Sequence, residues 1–289
     1  MAVDLLEDPL SAEQQDCARP AYSGSGVRDP LSGGPTTTVV IVSHPRSGTH
    51  ITLDFIRRNF PQFRQPVQIW DSASALYVDL DGPSGHSNLE RQRAKTGAVI
   101  LQSHRAGLCG FRGEAAFQQL DPQTTVFLYP FRRFSSTMKS FAEFSGYSGP
   151  VAAFLSGPDR FFGVDLTVCE CARRHAQAWL ARSACFMDVD EMIAGPEGGA
   201  AALAQALDLA PAPLKRRLPR RKLLTGKPGE ALQRLTGRES TAVLVSYGKV
   251  WSAPAEQAMV DEQFADIFVQ LRVRSIIPAG GSRRLPEAV

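Results

Sequence analysis

A guanidinium, two hydroxyls and a glycine stand in immediate succession at Arg46-Ser47-Gly48-Thr49, followed by His50. They lie between an apolar, β-branched run (Thr38 to Val42, broken at Ser43-His44-Pro45) and a segment carrying Ile51, Leu53, Phe55, Ile56 and Phe60. Arg57, Arg58 and Asn59 interrupt the apolar positions of that segment, which has helical spacing. A strand, a short glycine turn and a helix place backbone N–H groups, hydroxyls and a cation around one point. The first N–H groups of a helix lack internal partners and sit at its positive dipole end, so such a point binds phosphate or sulfate. The alternative is a turn whose Ser or Thr only caps the helix.

Two further segments end in reactive side chains. Gly97 to Leu101 is an apolar strand that runs into Gln102-Ser103-His104. Imidazole, with an unperturbed pKa of about 6.5, suits proton transfer near neutral pH. A His at a strand end also serves simply as a satisfied polar residue. Thr124 to Leu128 leads through Tyr129-Pro130-Phe131 to Arg132-Arg133 and then to a helical run, Phe134 to Phe144. On that helix Arg133, Ser136, Thr137 and Ser140 fall on one face by i, i+3, i+4 and i+7.

The ATP-binding pattern G-x-x-x-x-G-K-[ST] is absent, since its first Gly is missing and no Lys follows Gly48. Pro45-Arg46-Ser47-Gly48-Thr49-His50 instead resembles the 5′-phosphosulfate loop of the sulfotransferase family, Pro-Lys/Arg-Ser-Gly-Thr followed by a polar residue. Gln102-Ser103-His104 resembles the family's Lys-Thr-His, whose His takes the proton of the acceptor hydroxyl; Gln102 replaces the Lys. The third segment resembles the strand-turn-helix that holds the donor's 3′-phosphate, where an Arg is followed eight residues later by a Ser. Two registers fit it. A gap-free one puts Tyr129 and Thr137 in those roles, and one shifted by three puts Arg132 and Ser140 there. A dianion calls for a fixed charge and bidentate geometry, which favours Arg132.

The resemblance spans about residues 36–270. Cys185 to Met192 and Pro196 are similar to the family's late Tyr-Glu-Asp-Leu/Met turn, with Val189 where a Tyr would meet adenine. Tyr247 to Trp251 and Glu256-Gln257 echo its Gly-Asp-Trp and Glu-Gln segment, while the usual Arg-Lys-Gly is not visible. These departures, with Ile51 and Tyr129, fall on the nucleotide half; the sulfuryl half, Arg46 to His50 and His104, is closer to the pattern.

The elements that must position these groups are legible between the motifs. Strand candidates are 38–43, 66–70, 98–103, 124–129 and 184–189; helix candidates are 49–60, 114–120, 133–145, 166–183, 198–207 and 255–272. Strands alternating with helices imply an α/β fold, a single domain with a central parallel sheet flanked by helices. The resemblance adds a P-loop-NTPase-like sulfotransferase architecture. The domain is expected over 36–272, with a flexible arm at 1–35 and a tail at 273–289.

The chain has 289 residues, 43% hydrophobic, with 32 basic and 29 acidic residues and net charge +3. That balance does not argue for nucleic acid. Its five Cys (17, 109, 169, 171 and 185) form no metal-ligand spacing and read as free thiols in a reducing compartment. No apolar stretch approaches the ~20 residues of a membrane span, and Met1 to Asp16 lacks the pattern of a signal peptide, so a cytoplasmic location is expected. Six of the eight residues 215–222 are basic, either a solvated run or a docking patch for an anion. The long connection Asp71 to Lys95, which contains His86, reads as a substrate-facing loop.

The resemblance implies transfer of a sulfuryl group from 3′-phosphoadenosine 5′-phosphosulfate, without a metal, to a hydroxyl or amine of a small-molecule or glycan acceptor. His104 and Arg46 would be catalytic; Arg46, Ser47, Gly48, Thr49, His50, Arg132 and Ser140 would hold the donor. A magnesium-dependent phosphoryl transferase or kinase is one alternative, although no acidic ligand follows the first or third of these strands. The other is a degenerate sulfotransferase-like module that binds without turnover, which the eroded nucleotide half would fit.

Overall fold

The computed structural model describes residues 37–63, 77–81, 98–108, 119–182, 184–215 and 253–277, with positions 87, 89, 90, 117, 217, 218 and 251 between them. Among these residues five strands form one parallel sheet: β1 (Thr38–Val42), β2 (Val78–Asp79), β3 (Val99–Ser103), β4 (Thr125–Phe131) and β5 (Cys185–Asp188), in the order β2-β3-β1-β4-β5. The helices are α1 (Thr49–Asn59), α2 (Phe134–Phe144), α3 (Val151–Ser156), α4 (Val168–Leu180), α5 (Val189–Ala194), α6 (Pro196–Leu207), α7 (Pro254–Gln263) and α8 (Ala265–Val273). A 3-10 turn follows α1 at Pro61–Phe63.

All five residues of β1 are buried, as a strand covered on both faces requires. Val40 and Val42 join one core with Leu101, Phe127, Met138, Ala172, Phe264 and Leu271. Val39 and Ile41 join the other with Leu53, Ile56, Ile100, Leu128, Met192 and Leu203. The period-2 alternation of β1 thus divides the helices, with α2, α3, α4, α7 and α8 on one face and α1, α5 and α6 on the opposite one. Leu53, Phe55, Ile56 and Phe60 have no exposed surface, and each contributes about 1.5–3 kcal/mol by burial. The start of α4 is fixed by a capping box: Thr167 Oγ1 accepts from the Glu170 N–H, and the Glu170 carboxylate accepts from the Thr167 N–H.

β1 lies between β3 and β4. The chain leaving β1 goes to the β2–β3 side, and the chain leaving β4 goes to β5. The two loops therefore diverge at the carboxyl ends of β1 and β4, where open α/β sheets bind ligands. The loops after β1, β3 and β4 all reach this edge.

Several elements differ from the sequence expectation. β2 lies inside the connection read as a loop, while the candidate strand 66–70 and His86 lie outside the described residues, as does most of the candidate helix 114–120. The expected single helix over 255–272 is two, parted at Phe264, whose ring is fully buried and stacks on Phe134 with centroids 4.3 Å apart. β5 ends at Asp188 rather than 189, because its carboxylate accepts from the N–H groups of Asp190 and Glu191 and starts α5. The fold also continues past 273: Ile276 N–H donates to Phe186 O and Ile277 is buried in the core. Residues 1–35 lie outside the described part. No described helix is long and apolar enough to cross a membrane.

Candidate active site

The β1–α1 loop is held in shape from within. Ser43 Oγ and Thr49 Oγ1 are 2.6 Å apart across it. Ser47 Oγ lies 2.8 Å from His44 O and 3.0 Å from Pro130 O, sharing its proton between the two carbonyls and tying the loop to β4. Arg46 (φ 67°) and Gly48 (φ 112°) both take left-handed backbone, which folds the loop back toward α1. Gly48 is the N-cap, with no side-chain cap and no acid in the first turn. The Ser47 N–H, of a residue expected to hold the donor, is donated to His44 O instead. No Ser or Thr side chain caps α1.

Glycine is required at 48 for a second reason. A Cβ there would sit 2.7 Å from Val189 Cγ2 at the start of α5. Val189, the residue standing at the expected adenine contact, is buried against the loop. Gly48→Ala should destabilise the fold by about 1–3 kcal/mol, the usual scale of overpacking, in addition to the φ penalty. Urea unfolding checks this, and Gly48→Ala with Val189→Ala should regain the steric part but not the rest. An unchanged midpoint for the single variant would show that the loop is not packed this way.

The two registers of the third segment separate in space. Tyr129 is buried in the core, its hydroxyl 3.2 Å from His175 Nδ1, and burial pushes its pKa up. Thr137 is buried too, with Oγ1 unpartnered. Arg132 and Ser140, in contrast, both reach the β1–α1 loop. Arg132 Nη2 donates to Arg46 O (2.7 Å) and to Ser136 O (3.1 Å), leaving its Nε buried without a partner. Arg46 Nε donates to Ser140 Oγ (3.1 Å), and its guanidinium lies 5.4 Å from the Phe144 ring centroid. Arg133 is exposed and caps α2, its N–H donating to the Asp190 carboxylate at 3.2 Å. The expected helix face is therefore split, with Thr137 and Ser140 buried and Arg133 in solvent.

His104 sits just past β3, whose register pairs Val42 with Ser103. Its Nδ1 donates to Ser43 O (2.7 Å), which fixes the proton there and leaves Nε2 with its lone pair. Burial lowers its pKa below 6.5, against the opposing effects of the Ser43 carbonyl and Asp79, with Arg46 adding to the lowering. The ring is thus neutral at pH 7. The backbone around it is held by Asp81, which accepts from Ser103 Oγ (2.6 Å) and from the His104 N–H (2.7 Å). Sequence reasoning missed Asp81 because β2 is two residues long and has no apolar period; only the Asp79-Leu80-Asp81 alternation marks it.

His50, in the first turn of α1, is part-exposed, 6.0 Å from the Tyr77 ring; burial chiefly lowers its pKa, to about 4. His44 is structural: burial lowers its pKa to about 3, and its Nδ1 lies 2.9 Å from Pro45 O. Of the basic run, Arg217 bonds Glu197 and Asn59, pinning it to α6 and the end of α1; most of the remainder lies outside the described residues. Cys169, Cys171 and Cys185 are free, the last two buried. No protein-family model matches this chain, and no curated protein matches it.

Proposed function

We propose that the protein is a sulfotransferase using 3′-phosphoadenosine 5′-phosphosulfate. The observation that carries this reading is the junction of two groups on one loop. Arg46, Arg132 and Ser140 are linked through the turn after β1, and Ser43 of the same turn orients His104. An anion holder and a neutral imidazole are thereby fixed relative to each other by backbone.

In this mechanism the acceptor hydroxyl, or an amine, gives its proton to His104 Nε2. Its oxygen or nitrogen attacks sulfur in line as the bond from sulfur to the bridging phosphate oxygen breaks. That oxygen leaves with the electron pair on adenosine 3′,5′-bisphosphate. Arg46 and the N–H groups of Gly48 and the first turn of α1 neutralise the charge gathering there, usually the largest source of rate acceleration in such transfers. Arg132, with Ser140, is assigned to the 3′-phosphate. No metal enters these steps. The acceptor is a small molecule or glycan, and the compartment is assigned as cytoplasmic.

Arg132→Ala should weaken adenosine 3′,5′-bisphosphate by on the order of 1.5–3 kcal/mol while adenosine 5′-phosphate binds almost unchanged. Only the former carries the group Arg132 would grip. Equal weakening of both nucleotides would remove the assignment. The activity itself is tested by incubating donor labelled in its sulfuryl group with phenols, sugars and amines in the presence of a chelator. Label should pass to an acceptor. Label passing instead from the γ-phosphate of ATP, with magnesium, would replace this reading by phosphoryl transfer. Bisphosphate binding with no transfer to any acceptor would favour the degenerate module.

A further inference from the structure

Gln102 and His104 are two residues apart at the end of β3, so their side chains leave the strand on the same side. Gln102 is 4% exposed, and its Nε2 lies 2.9 Å from His104 Nε2. Nitrogen against nitrogen is a hydrogen bond only if one donates and the other offers a lone pair. Because Ser43 O holds the proton on Nδ1, the amide N–H is the donor and the imidazole Nε2 the acceptor. The other end of the amide, Gln102 Oε1, is buried and has no hydrogen-bond partner. A buried unpaired carbonyl oxygen costs free energy, so its presence beside a titrating ring calls for an explanation.

We infer that Gln102 is a positioning residue that locks His104 in its neutral, Nδ1-protonated form and surrenders Nε2 to the acceptor. In the resting site the amide N–H occupies the lone pair that will take the proton. When the acceptor hydroxyl arrives, it replaces the amide as the donor to Nε2. Once the proton has moved, Nε2–H repels the amide N–H, and rotation of the amide by half a turn brings Oε1 to accept from it. The unpartnered oxygen is the group reserved for that state. This rests on His104 acting as the base.

The groups that also face His104 are Asp79 at the end of β2, Asp81 two residues on, His44 and Arg46 from the β1–α1 loop, His50 from α1 and His175 from α4. All stay in place in a Gln102 variant, so a changed titration of His104 reports on residue 102. Gln102→Met keeps the length but can neither donate nor accept. Gln102→Glu can only accept while it is ionised.

The test reads the ring nitrogens of His104 by two-dimensional nitrogen–proton NMR in the full chain without donor or acceptor, so it does not depend on turnover. The unmodified protein should show the Nδ1–H tautomer, a donor hydrogen bond reaching Nε2, and a low pKa. Gln102→Met should lose that hydrogen bond, and Gln102→Glu should raise the His104 pKa by about one unit or more. In transfer assays the acidic limb of the pH profile of kcat/KM should move up with Gln102→Glu. Turnover of Gln102→Met should fall on the order of tenfold to a hundredfold, the scale known for partners that orient metal-bound imidazoles. An unchanged His104 spectrum and titration in both variants, whether or not transfer is seen, would overturn the role of Gln102. The expected spectra without any transfer activity would leave Gln102 in its place and refute the sulfotransferase reading instead.

Discussion

His104→Ala should lose about 10²–10⁴-fold in sulfuryl-transfer rate, the usual contribution of a positioned proton acceptor, while affinity for adenosine 3′,5′-bisphosphate stays nearly constant. Its ring bonds the anion loop at the Ser43 carbonyl, whereas Arg46, Arg132 and Ser140 are linked to one another by bonds that do not involve it. The pH dependence has a defined sign. In the proposed mechanism transfer needs the neutral ring, so kcat/KM should fall as pH drops through its pKa. Burial has lowered that pKa, which moves the acidic limb of the free enzyme below pH 6.5. In His104→Ala this limb should disappear. An acceptor with an acidic hydroxyl, such as a nitrophenol, should recover part of the lost rate because it ionises with less help. If affinity falls and turnover holds, His104 belongs to donor binding, and the base must be sought at His50, whose pKa of about 4 also leaves it neutral.

Removal of the Arg46 side chain should reduce turnover by about a hundredfold or more, the scale for loss of one preorganised donor to a developing charge. Arg46 has φ 67°, a conformation costly for any side chain with a Cβ, so a variant could also act through the backbone. Arg46→Ala and Arg46→Gly separate the two effects. Glycine adopts this φ without strain, so equal loss of turnover in both assigns the effect to the guanidinium. Full activity in Arg46→Gly would remove the side chain from the mechanism and leave only the loop backbone. Thermal unfolding should show Arg46→Gly at least as stable as Arg46→Ala.

How far the fold could be read from sequence depended on the length and periodicity of each segment. β1 and β3 are buried strands built around the apolar runs 39–42 and 99–101, which read as strands at once. β4 extends two residues beyond its expected end and through Pro130, which lacks an N–H. That is tolerated because pairing with β1 stops at Leu128, after which β4 pairs only with β5. β2 has two residues and no pattern to detect. The break at Phe264 hides inside an unbroken helical period, since a buried aromatic satisfies that period on either side of the break.

The candidate site was legible where contacts are local and illegible where they depend on packing. Arg46 to Thr49 and His104 are chain neighbours of strand ends, and spacing alone places them at the sheet edge. The choice between Tyr129 and Arg132 could not be made from spacing, because both registers satisfy the eight-residue interval; the burial of Tyr129 against His175 separates them. Val189 reads in sequence as an eroded nucleotide contact, whereas its methyl groups fill the space that Gly48 leaves open. Asp81 acts through a neighbouring strand and Gln102 through a neighbouring ring; the Asp79-Leu80-Asp81 alternation and the Gln102-Ser103-His104 spacing place them, but neither shows the hydrogen bonds they make.

The central proposal is that the loop after β1 and the turn after β4 bind adenosine 3′,5′-bisphosphate as one site. Isothermal titration calorimetry of the full chain in chelator measures this without knowledge of the acceptor. Adenosine 3′,5′-bisphosphate should bind at a single site, ATP should bind at least about tenfold more weakly, a difference near 1.4 kcal/mol, and magnesium should not reverse the order. Tight, magnesium-dependent binding of ATP with no detectable binding of the bisphosphate would contradict it.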